Sequence, residues 1–206
     1  MSNMANYAVT KASFKLETPE FYNFGIDVID KRANEADKLA FITVDASGND
    51  IKHFQFSDLS KVSNQFANGL LSLGVKKREL AFVMIPRIAE WYAVMIGSCK
   101  LGVVTMPGTN LLTAKDIEYR INRSKATLAI VTSDNADKVD AIKTNCPTLE
   151  KLIVIGDARE GWHTFDQLTV NADETLDQSQ MEPTKASDLM MIYFTSGTTG
   201  MPKMVP

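Results

Sequence analysis

The sequence lacks the residue patterns of a metal site and of a disulfide framework. It contains two cysteines, Cys99 and Cys146, and two histidines, His53 and His163, and no CxxC or clustered Cys/His spacing joins them. We therefore predict no metal ligands in the chain. We expect the cysteines to be small core residues in a reducing compartment and the histidines to have structural or surface roles.

Long apolar runs and an excess of one charge are also absent. No apolar stretch approaches the length of a membrane span, and residues 1–20 have neither the apolar core of a signal peptide nor an arginine. The 22 basic and 25 acidic residues give a net charge of −3, so nothing attracts the chain generally to nucleic acid or to an anionic membrane. We predict a cytoplasmic chain with no membrane span and no nucleic-acid partner, in which any anion site is local.

Short apolar runs alternate with longer segments in which apolar residues recur every three or four positions, as Leu59, Val62 and Phe66 do. The short runs predict buried strands and the longer segments predict helices. This alternation predicts an α/β fold with a doubly wound, mostly parallel sheet flanked by helices. The predicted strands are residues 39–44, 51–56, 80–85, 103–106, 128–131, 152–155 and 189–194. The predicted helices lie near residues 26–37, 57–73, 89–101, 113–121, 139–146 and 162–168.

Local signals mark several boundaries. Ser57 is a good N-cap and Gly74 a good helix stop, while Thr113 with Asp116 resembles a capping box. Residues 170–188 have the polar composition of a linker. We predict four parts: an N-terminal arm at 1–20, an α/β subdomain at 21–169, the linker at 170–188, and at 189–206 a strand and loop that start an incomplete second part.

A loop rich in hydroxyl groups and glycine follows the last predicted strand. Gly197 and Gly200 permit positive φ and leave room for a ligand to reach the backbone N–H groups. The hydroxyl groups can donate to phosphate oxygens, and Lys203 adds a compact positive charge. The candidate phosphate-binding residues are Thr195, Ser196, Gly197, Thr198, Thr199, Gly200 and Lys203.

Other interpretations of this loop differ in how well they fit. A Walker loop requires GxxxxGK followed by Ser or Thr, whereas here Gly200 lies three positions before Lys203, and Pro202 is poorly suited to a helix. An ordinary Ser/Thr/Gly turn between strands is compatible with the composition, so the residue types alone leave that alternative open. A dinucleotide-binding domain is set aside because no GxGxxG follows an early strand.

The segment at residues 192–203, IYFTSGTTGMPK, closely resembles the signature loop of the adenylate-forming superfamily, which comprises acyl-CoA synthetases, luciferases and the adenylation domains of peptide synthetases. Earlier segments narrow the resemblance to the medium-chain acyl-CoA synthetase branch, and the resemblance covers nearly the whole chain. These segments are Asn23, Phe24, Asp27 and Val28; Met84, Ile85, Pro86, Arg87, Glu90 and Trp91; Met106, Pro107, Gly108 and Thr109; and Asp116, Ile117, Tyr119 and Arg120.

The resemblance implies an ATP-dependent ligase that joins a fatty acid, medium-chain in this branch, to coenzyme A. In such enzymes the carboxylate attacks the α-phosphate of ATP with Mg²⁺ present, giving acyl-AMP and pyrophosphate, and the thiol of coenzyme A then displaces AMP. The loop from Thr195 to Gly200, together with Lys203, would hold the β- and γ-phosphates and leave the α-phosphorus open to attack. The implied fold is the N-terminal subdomain of an adenylate-forming enzyme.

Members of this family are much longer than this chain, and the rest of their active site is expected after residue 206. The missing parts include the acid that holds ribose, the hinge and a C-terminal domain with a catalytic lysine. We therefore expect no catalytic residue within this chain, which alone would be an inactive N-terminal fragment. The alternative is a noncatalytic fragment that only packs against a partner chain or itself, and residues 189–194 are the predicted self-association surface.

A few other positions have both a functional and a structural interpretation. Trp91 and Met95 could line an acyl channel, although such a stripe at helical spacing usually belongs to the core. Arg87 follows a strand end, where ligands gather in parallel sheets. The basic run at residues 76–78 predicts a solvated loop.

Overall fold

The computed structural model of the chain describes residues 6–35, 38–45, 47–195 and 200–206. Its strands are β1 (Leu39–Val44), β2 (Ile51–Gln55), β3 (Leu80–Met84), β4 (Val104–Pro107), β5 (Leu128–Thr132), β6 (Lys151–Ile155), β7 (His163–Thr164), β8 (Tyr193–Thr195) and β9 (Lys203–Val205). Strands β3 to β7 form one sheet in the order β4-β3-β5-β6-β7, and every neighbouring pair is parallel. Strands β1 and β2 form a separate antiparallel hairpin, as do β8 and β9.

Helices cover both faces of the parallel sheet. They are α1 (Tyr7–Ser13), α2 (Lys31–Ala33), α3 (Phe56–Ser72), α4 (Ala89–Lys100), α5 (Ala114–Ser124), α6 (Ser133–Asp140) and α7 (Phe165–Thr169), with a π-helical segment at Phe24–Asp30 and 3₁₀ turns at Lys143–Asn145 and Gln178–Gln180. Val83 and Ile130 are buried with α3, α4 and α7, whereas Phe82 and Val131 are buried with α5 and α6. Successive residues of β3 and β5 thus enter two cores, so these strands are apolar throughout. The predicted doubly wound α/β fold is confirmed.

The beginning of α3 differs from the prediction. The helix starts at Phe56, and the carboxylate of Asp58 accepts a hydrogen bond from the backbone N–H of Gln55 (2.8 Å), so Ser57 is not its N-cap. The chain passes directly from β2 into α3 at Gln55, so the N-cap lies two residues earlier than the predicted Ser57. The end agrees with the prediction, because Gly74 adopts a φ of 72° just after the helix.

The predicted helix at residues 26–37 is observed as a π-helical segment followed by the short α2. The N–H of Lys31 bonds to the carbonyl of Ile26, five residues earlier, which is the π-helical spacing. This segment packs very closely on α4, since a Cβ on Gly25 would lie 2.5 Å from Cγ of Lys100. The region predicted as an arm contains α1, none of whose residues is buried.

The segment predicted as a linker lies along α3. Nδ2 of Asn64 donates to the carbonyl of Glu174 (2.9 Å), and Nδ2 of Asn68 donates to the carbonyls of Asp173 and Thr175, both at 2.8 Å. The division of the chain into four parts stays a prediction. Within the described ranges, no helix is both long and apolar enough to cross a bilayer.

The basic run at residues 76–78 is not a solvated loop throughout, so that prediction is wrong for Lys77. Its Nζ donates to Asp188 (2.8 Å), Glu182 (3.0 Å) and the carbonyl of Pro183 (2.7 Å), and its side chain is only 9% exposed. Arg78 also pairs with Glu182 at 2.9 Å. The acidic partners lie more than a hundred residues further along the chain, so the composition around residues 76–78 cannot predict these ion pairs.

The predicted buried strand at residues 189–194 is shorter and more exposed than expected. Leu189, Met190 and Tyr193 are about half exposed, and Ile192 is buried at 3% exposure. The reason is that residues 190–192 add to the open edge of the sheet, where their backbone pairs with β4 only. Strands β7, β8 and β9 are short; β9 was not predicted, and β7 occupies residues that were predicted to begin a helix.

Candidate functional site

The candidate loop begins at the edge of the parallel sheet. The N–H of Thr105, in β4, donates to the carbonyl of Met190 (3.3 Å), and the N–H of Ile192 donates to the carbonyl of Thr105 (2.9 Å). This bridge is parallel, so β8 continues in the direction of β4 and the chain passes beyond the carboxyl ends of the strands. Ligands of open parallel sheets bind in that region.

The two ends of the loop are paired to each other. Thr195 and Lys203 are partners in the antiparallel ladder of β8 and β9, and both side chains are exposed. Gly200 has a φ of 108° with no atom within 4 Å of the place a Cβ would occupy, so the backbone conformation, and not space, calls for glycine. After Pro202 the chain enters β9 and no helix, which agrees with the exclusion of a Walker loop. The predicted site residues Ser196, Gly197, Thr198 and Thr199 lie outside the described residues.

Helix α5 contacts both sides of the loop's base. The hydroxyl of Tyr119 donates to the carbonyl of Pro202 (2.9 Å), and its ring meets the ring of Phe194 edge to face at 6.1 Å between centroids. The guanidinium carbon of Arg120 lies 5.3 Å from the centroid of Phe194, within the range of a cation–π contact. Sequence patterns singled out Tyr119 and Arg120 only as part of the family resemblance and gave no indication of these contacts.

The start of α5 is fixed by the predicted capping box. Oγ1 of Thr113 accepts from the N–H of Asp116 (3.3 Å), and the carboxylate of Asp116 accepts from the N–H (3.0 Å) and hydroxyl (2.6 Å) of Thr113. The hydroxyl bond from Thr113 is the main reason that the pKa of Asp116 lies below its ordinary value. Arg120 also donates to the carbonyl of Asp116 (2.9 Å), which holds the guanidinium on the helix.

Asn23 joins three parts of the chain ahead of the loop, and sequence patterns did not reveal this. Its Nδ2 donates to the carbonyl of Cys99 (2.8 Å), the carbonyl of Lys100 (3.2 Å) and the hydroxyl of Thr184 (3.0 Å), and the residue is 6% exposed. The C-terminal end of α4 and the segment that leads to residue 189 are therefore held by one amide. The signal in the sequence was its place in a segment that resembles the medium-chain acyl-CoA synthetases.

Two cavities contain residues that the sequence singled out. Met95 is buried in the core and Trp91 packs against the same core, which confirms their structural interpretation. Both also line an apolar cavity of about 450 Å³ beside Thr105 and Met190. Arg87 lines another cavity, of about 500 Å³, between the first hairpin and helices α3 and α4.

Cys146 belongs to the core and the two histidines lie at the surface, as expected. Cys146 is buried and Cys99 half-buried, and both are free thiols. Burial raises the pKa of each thiol above its ordinary value, which keeps it protonated and unreactive at neutral pH. His53 and His163 are exposed. Among the described residues no group of three or more His, Cys, Asp or Glu side chains could hold a metal ion.

Solved structures share this fold. The structure of an acyl-CoA synthetase from Brucella canis superposes with a TM-score of 0.84 over 98% of this chain and 38% of its own, at 22% identity. The anthranilate CoA ligase AuaEII, solved in complex with anthranoyl-AMP, gives a TM-score of 0.77 over 91% of this chain and 35% of its own, at 27% identity. The fold of this chain is therefore also present in these two ligases, over about a third of each.

The sequence comparisons define the family. The AMP-binding enzyme family matches residues 29–206, and the chain belongs to it. Mouse acyl-coenzyme A synthetase ACSM3, mitochondrial, is 38% identical over 98% of this chain and 36% of its own length. Human acyl-coenzyme A synthetase ACSM5, mitochondrial, is 40% identical over 91% of this chain and 33% of its own length. The chain thus spans about a third of the length of these curated relatives.

Proposed function

We propose that this chain supplies the β- and γ-phosphate-binding loop of an AMP-forming ligase that joins a carboxylic acid to coenzyme A. The observation that carries the proposal is the pairing of Thr195 with Lys203 at the base of a hydroxyl- and glycine-rich loop, beyond the carboxyl ends of a parallel sheet. Membership in the AMP-binding enzyme family supports it. The proposed phosphate-binding residues are Thr195, Ser196, Gly197, Thr198, Thr199, Gly200 and Lys203.

The proposed reaction has two steps. The carboxylate oxygen attacks the α-phosphorus of ATP and pyrophosphate leaves; the sulfur of coenzyme A then attacks the acyl carbon and AMP leaves. The anthranoyl-AMP bound to the related anthranilate ligase supports an acyl-adenylate intermediate. The loop's part is to position the triphosphate and offset its charge, which are the main sources of rate in phosphoryl chemistry.

The residues of the loop fit phosphate better than a resident metal ion. They provide hydroxyl and N–H donors and one lysine, and no carboxylate, whereas proteins usually hold Mg²⁺ through one or two carboxylates together with substrate phosphates. Mg²⁺ would therefore arrive with ATP and neutralise phosphate charge when bound. The acyl-coenzyme A synthetase relatives support an acyl substrate, and the resemblance of the earlier segments to the medium-chain branch makes a fatty acid of medium chain length the proposed one.

Calorimetric titration of the chain with Mg·ATP, Mg·pyrophosphate and AMP tests the loop. We expect Lys203→Ala to weaken Mg·ATP and Mg·pyrophosphate binding about tenfold, the usual effect of losing one charged hydrogen bond. Lys115→Ala, an exposed lysine in the first turn of α5, is the matched control and should change nothing. The proposal is wrong if the unmodified chain binds no Mg·ATP, if AMP binds as tightly as Mg·ATP, or if the two variants behave alike.

Self-association and cellular location stay predictions from the sequence. Packing of the chain with a partner or itself through residues 189–194 is the alternative function, and the half-exposed Leu189, Met190 and Tyr193 give that surface apolar area. A cytoplasmic location is still predicted from the residues of the chain, although the names of the mouse and human relatives place those proteins in mitochondria.

A further inference from the structure

The loop's hairpin has little to hold it in place by itself. Strands β8 and β9 are three residues long and are joined by three residue pairs. All three residues of β9, Lys203, Met204 and Val205, are exposed. A two-stranded hairpin of this size is at best marginally stable in water. Its position relative to the sheet must therefore come from contacts with the rest of the fold.

Helix α5 is fixed independently of the hairpin. Ile117 and Ile121 are fully buried in the core between α5 and the sheet. The capping box of Thr113 and Asp116 fixes the first turn. The helix therefore has its position whether or not the loop is ordered, and it can serve as a rigid support.

Two adjacent side chains of α5 contact the hairpin of β8 and β9 on both of its sides. On the β8 side, Phe194 contacts both the ring of Tyr119 and the guanidinium of Arg120. On the β9 side, the carbonyl of Pro202 accepts the hydroxyl of Tyr119 at 2.9 Å. Phe194 directly precedes Thr195, and Pro202 directly precedes Lys203, so the supported positions adjoin the two paired ends of the loop.

We propose that Tyr119 and Arg120 are positioning residues for the phosphate-binding loop: they hold its two ends on α5 so that Thr195 and Lys203 face one ligand together. This inference rests on the proposed function of the loop. Without the Tyr119 hydroxyl, the β9 side is held only by its pairing with β8, and Lys203 occupies its binding position for a smaller fraction of the time. The apparent dissociation constant of a phosphate ligand rises in inverse proportion to that fraction.

Hydrogen exchange of the 206-residue chain, read by mass spectrometry, measures the support directly. Tyr119→Phe keeps the ring and removes the hydroxyl, and Tyr92→Phe, on α4, is the matched control. We expect exchange in residues 200–206 to rise about threefold to tenfold in Tyr119→Phe, the opening that loss of one neutral hydrogen bond allows. Exchange in β5 and β6 and the midpoint of urea unfolding should stay at the values of Tyr92→Phe. A structural role alone would shift all regions together and would contradict the proposal.

Titration with Mg·ATP separates this inference from the function on which it rests. In Tyr119→Phe we expect the affinity for Mg·ATP to fall by the same factor as the protection of residues 200–206 from exchange. In Arg120→Gln we expect hydrogen exchange in residues 193–195 to increase relative to the control Arg123→Gln. If the unmodified chain binds no Mg·ATP, the proposed function fails, while the exchange data still test the support. If Tyr119→Phe and Tyr92→Phe give equal exchange in residues 200–206, the inference is overturned.

Discussion

Lys100 brings a charge into a fully buried position at the end of α4. Its Nζ donates to the carboxylate of Asp30 (2.5 Å), the amide oxygen of Asn64 (2.5 Å) and the carbonyl of Ser60 (3.3 Å). Burial lowers the pKa of Lys100, and the contact with Asp30 opposes that shift. All three ammonium protons thus have acceptors, so the charge is compensated without solvent.

Replacing Lys100 by methionine should lower the free energy of unfolding by about 3–5 kcal/mol, because Asp30 and Asn64 lose a buried partner. Urea unfolding followed by circular dichroism measures it, with Lys115→Met as the control. Adding Asp30→Leu to Lys100→Met should recover part of the loss, since the orphaned carboxylate is then gone. A cost of Lys100→Met below about 1 kcal/mol would contradict this account.

Contacts of this kind could not be predicted from sequence. A lysine in the last turn of a helix is normally an exposed residue that complements the helix dipole. The partners of Lys100 are 36, 40 and 70 positions away, and those of Lys77 are more than a hundred away. Only the folded chain brings them together. The same limit applies to Asn23 and Tyr119, whose partners are also distant in sequence.

At the scale of the elements, prediction succeeded where the signal was local. The capping box of α5 and the stop at Gly74 depend on residues a few positions apart, and both are observed. The unpredicted β9 and the misjudged strand before the loop depend on pairing with distant partners. The π-helical segment at Phe24–Asp30 likewise follows from packing against α4, which a 3.6-residue period cannot reveal.

The capping box predicts a specific pH dependence. Because the folded pKa of Asp116 is lowered, its contribution to stability is present above the unfolded pKa of about 3.9 and is lost as the pH falls through the lower folded value. We expect Asp116→Asn to cost about 0.5 kcal/mol or less at pH 7, since the group is open to solvent.

Measuring urea unfolding from pH 7 to pH 3 tests this. The difference between the unmodified chain and Asp116→Asn should shrink below about pH 4, where the carboxylate of the former is becoming protonated. Glu118→Gln, on the same helix outside the capping box, serves as the comparison. A difference that stays constant or grows down to pH 3 would show that ionisation of Asp116 does not support α5.

At the scale of the whole molecule, Lys77 connects the sheet to the segment that precedes the loop. Burial acts to lower the pKa of Lys77, but the hydrogen bonds that its ammonium donates to Asp188 and Glu182 outweigh burial and raise the pKa. Asp188 lies two positions before residues 190–192, which pair with β4. Next to it, the carbonyl of Thr184 accepts from Tyr22, so the N-terminal segment is held at the same place.

Lys77→Met should increase hydrogen exchange in residues 182–192, because the segment loses two ion pairs and a bond to the carbonyl of Pro183. Exchange in β5 and β6 should not change. Lys76→Met is the matched control, one residue earlier and exposed. Equal exchange of residues 182–192 in both variants would show that the ion pairs do not hold this segment.

The sheet's existence could be predicted from sequence, whereas its strand order could not. Apolar runs such as Leu128–Thr132 are recognisable because both faces are covered. Which strand lies at the edge depends on crossovers and packing between the layers, which no single segment encodes. The loop's family signature was recognisable, but its support by α5 was visible only in the structure.

The strand order also bears on synthesis of the polypeptide. β3 is the first strand of the sheet to be made, and each later one finds its neighbour already present: β4 beside β3, β5 on the other side of β3, then β6 and β7 outward. A nascent chain can therefore bury each apolar strand as it emerges from the ribosome, without waiting for a partner still to be translated. The free edge of β4 is filled last, when residues 190–192 arrive.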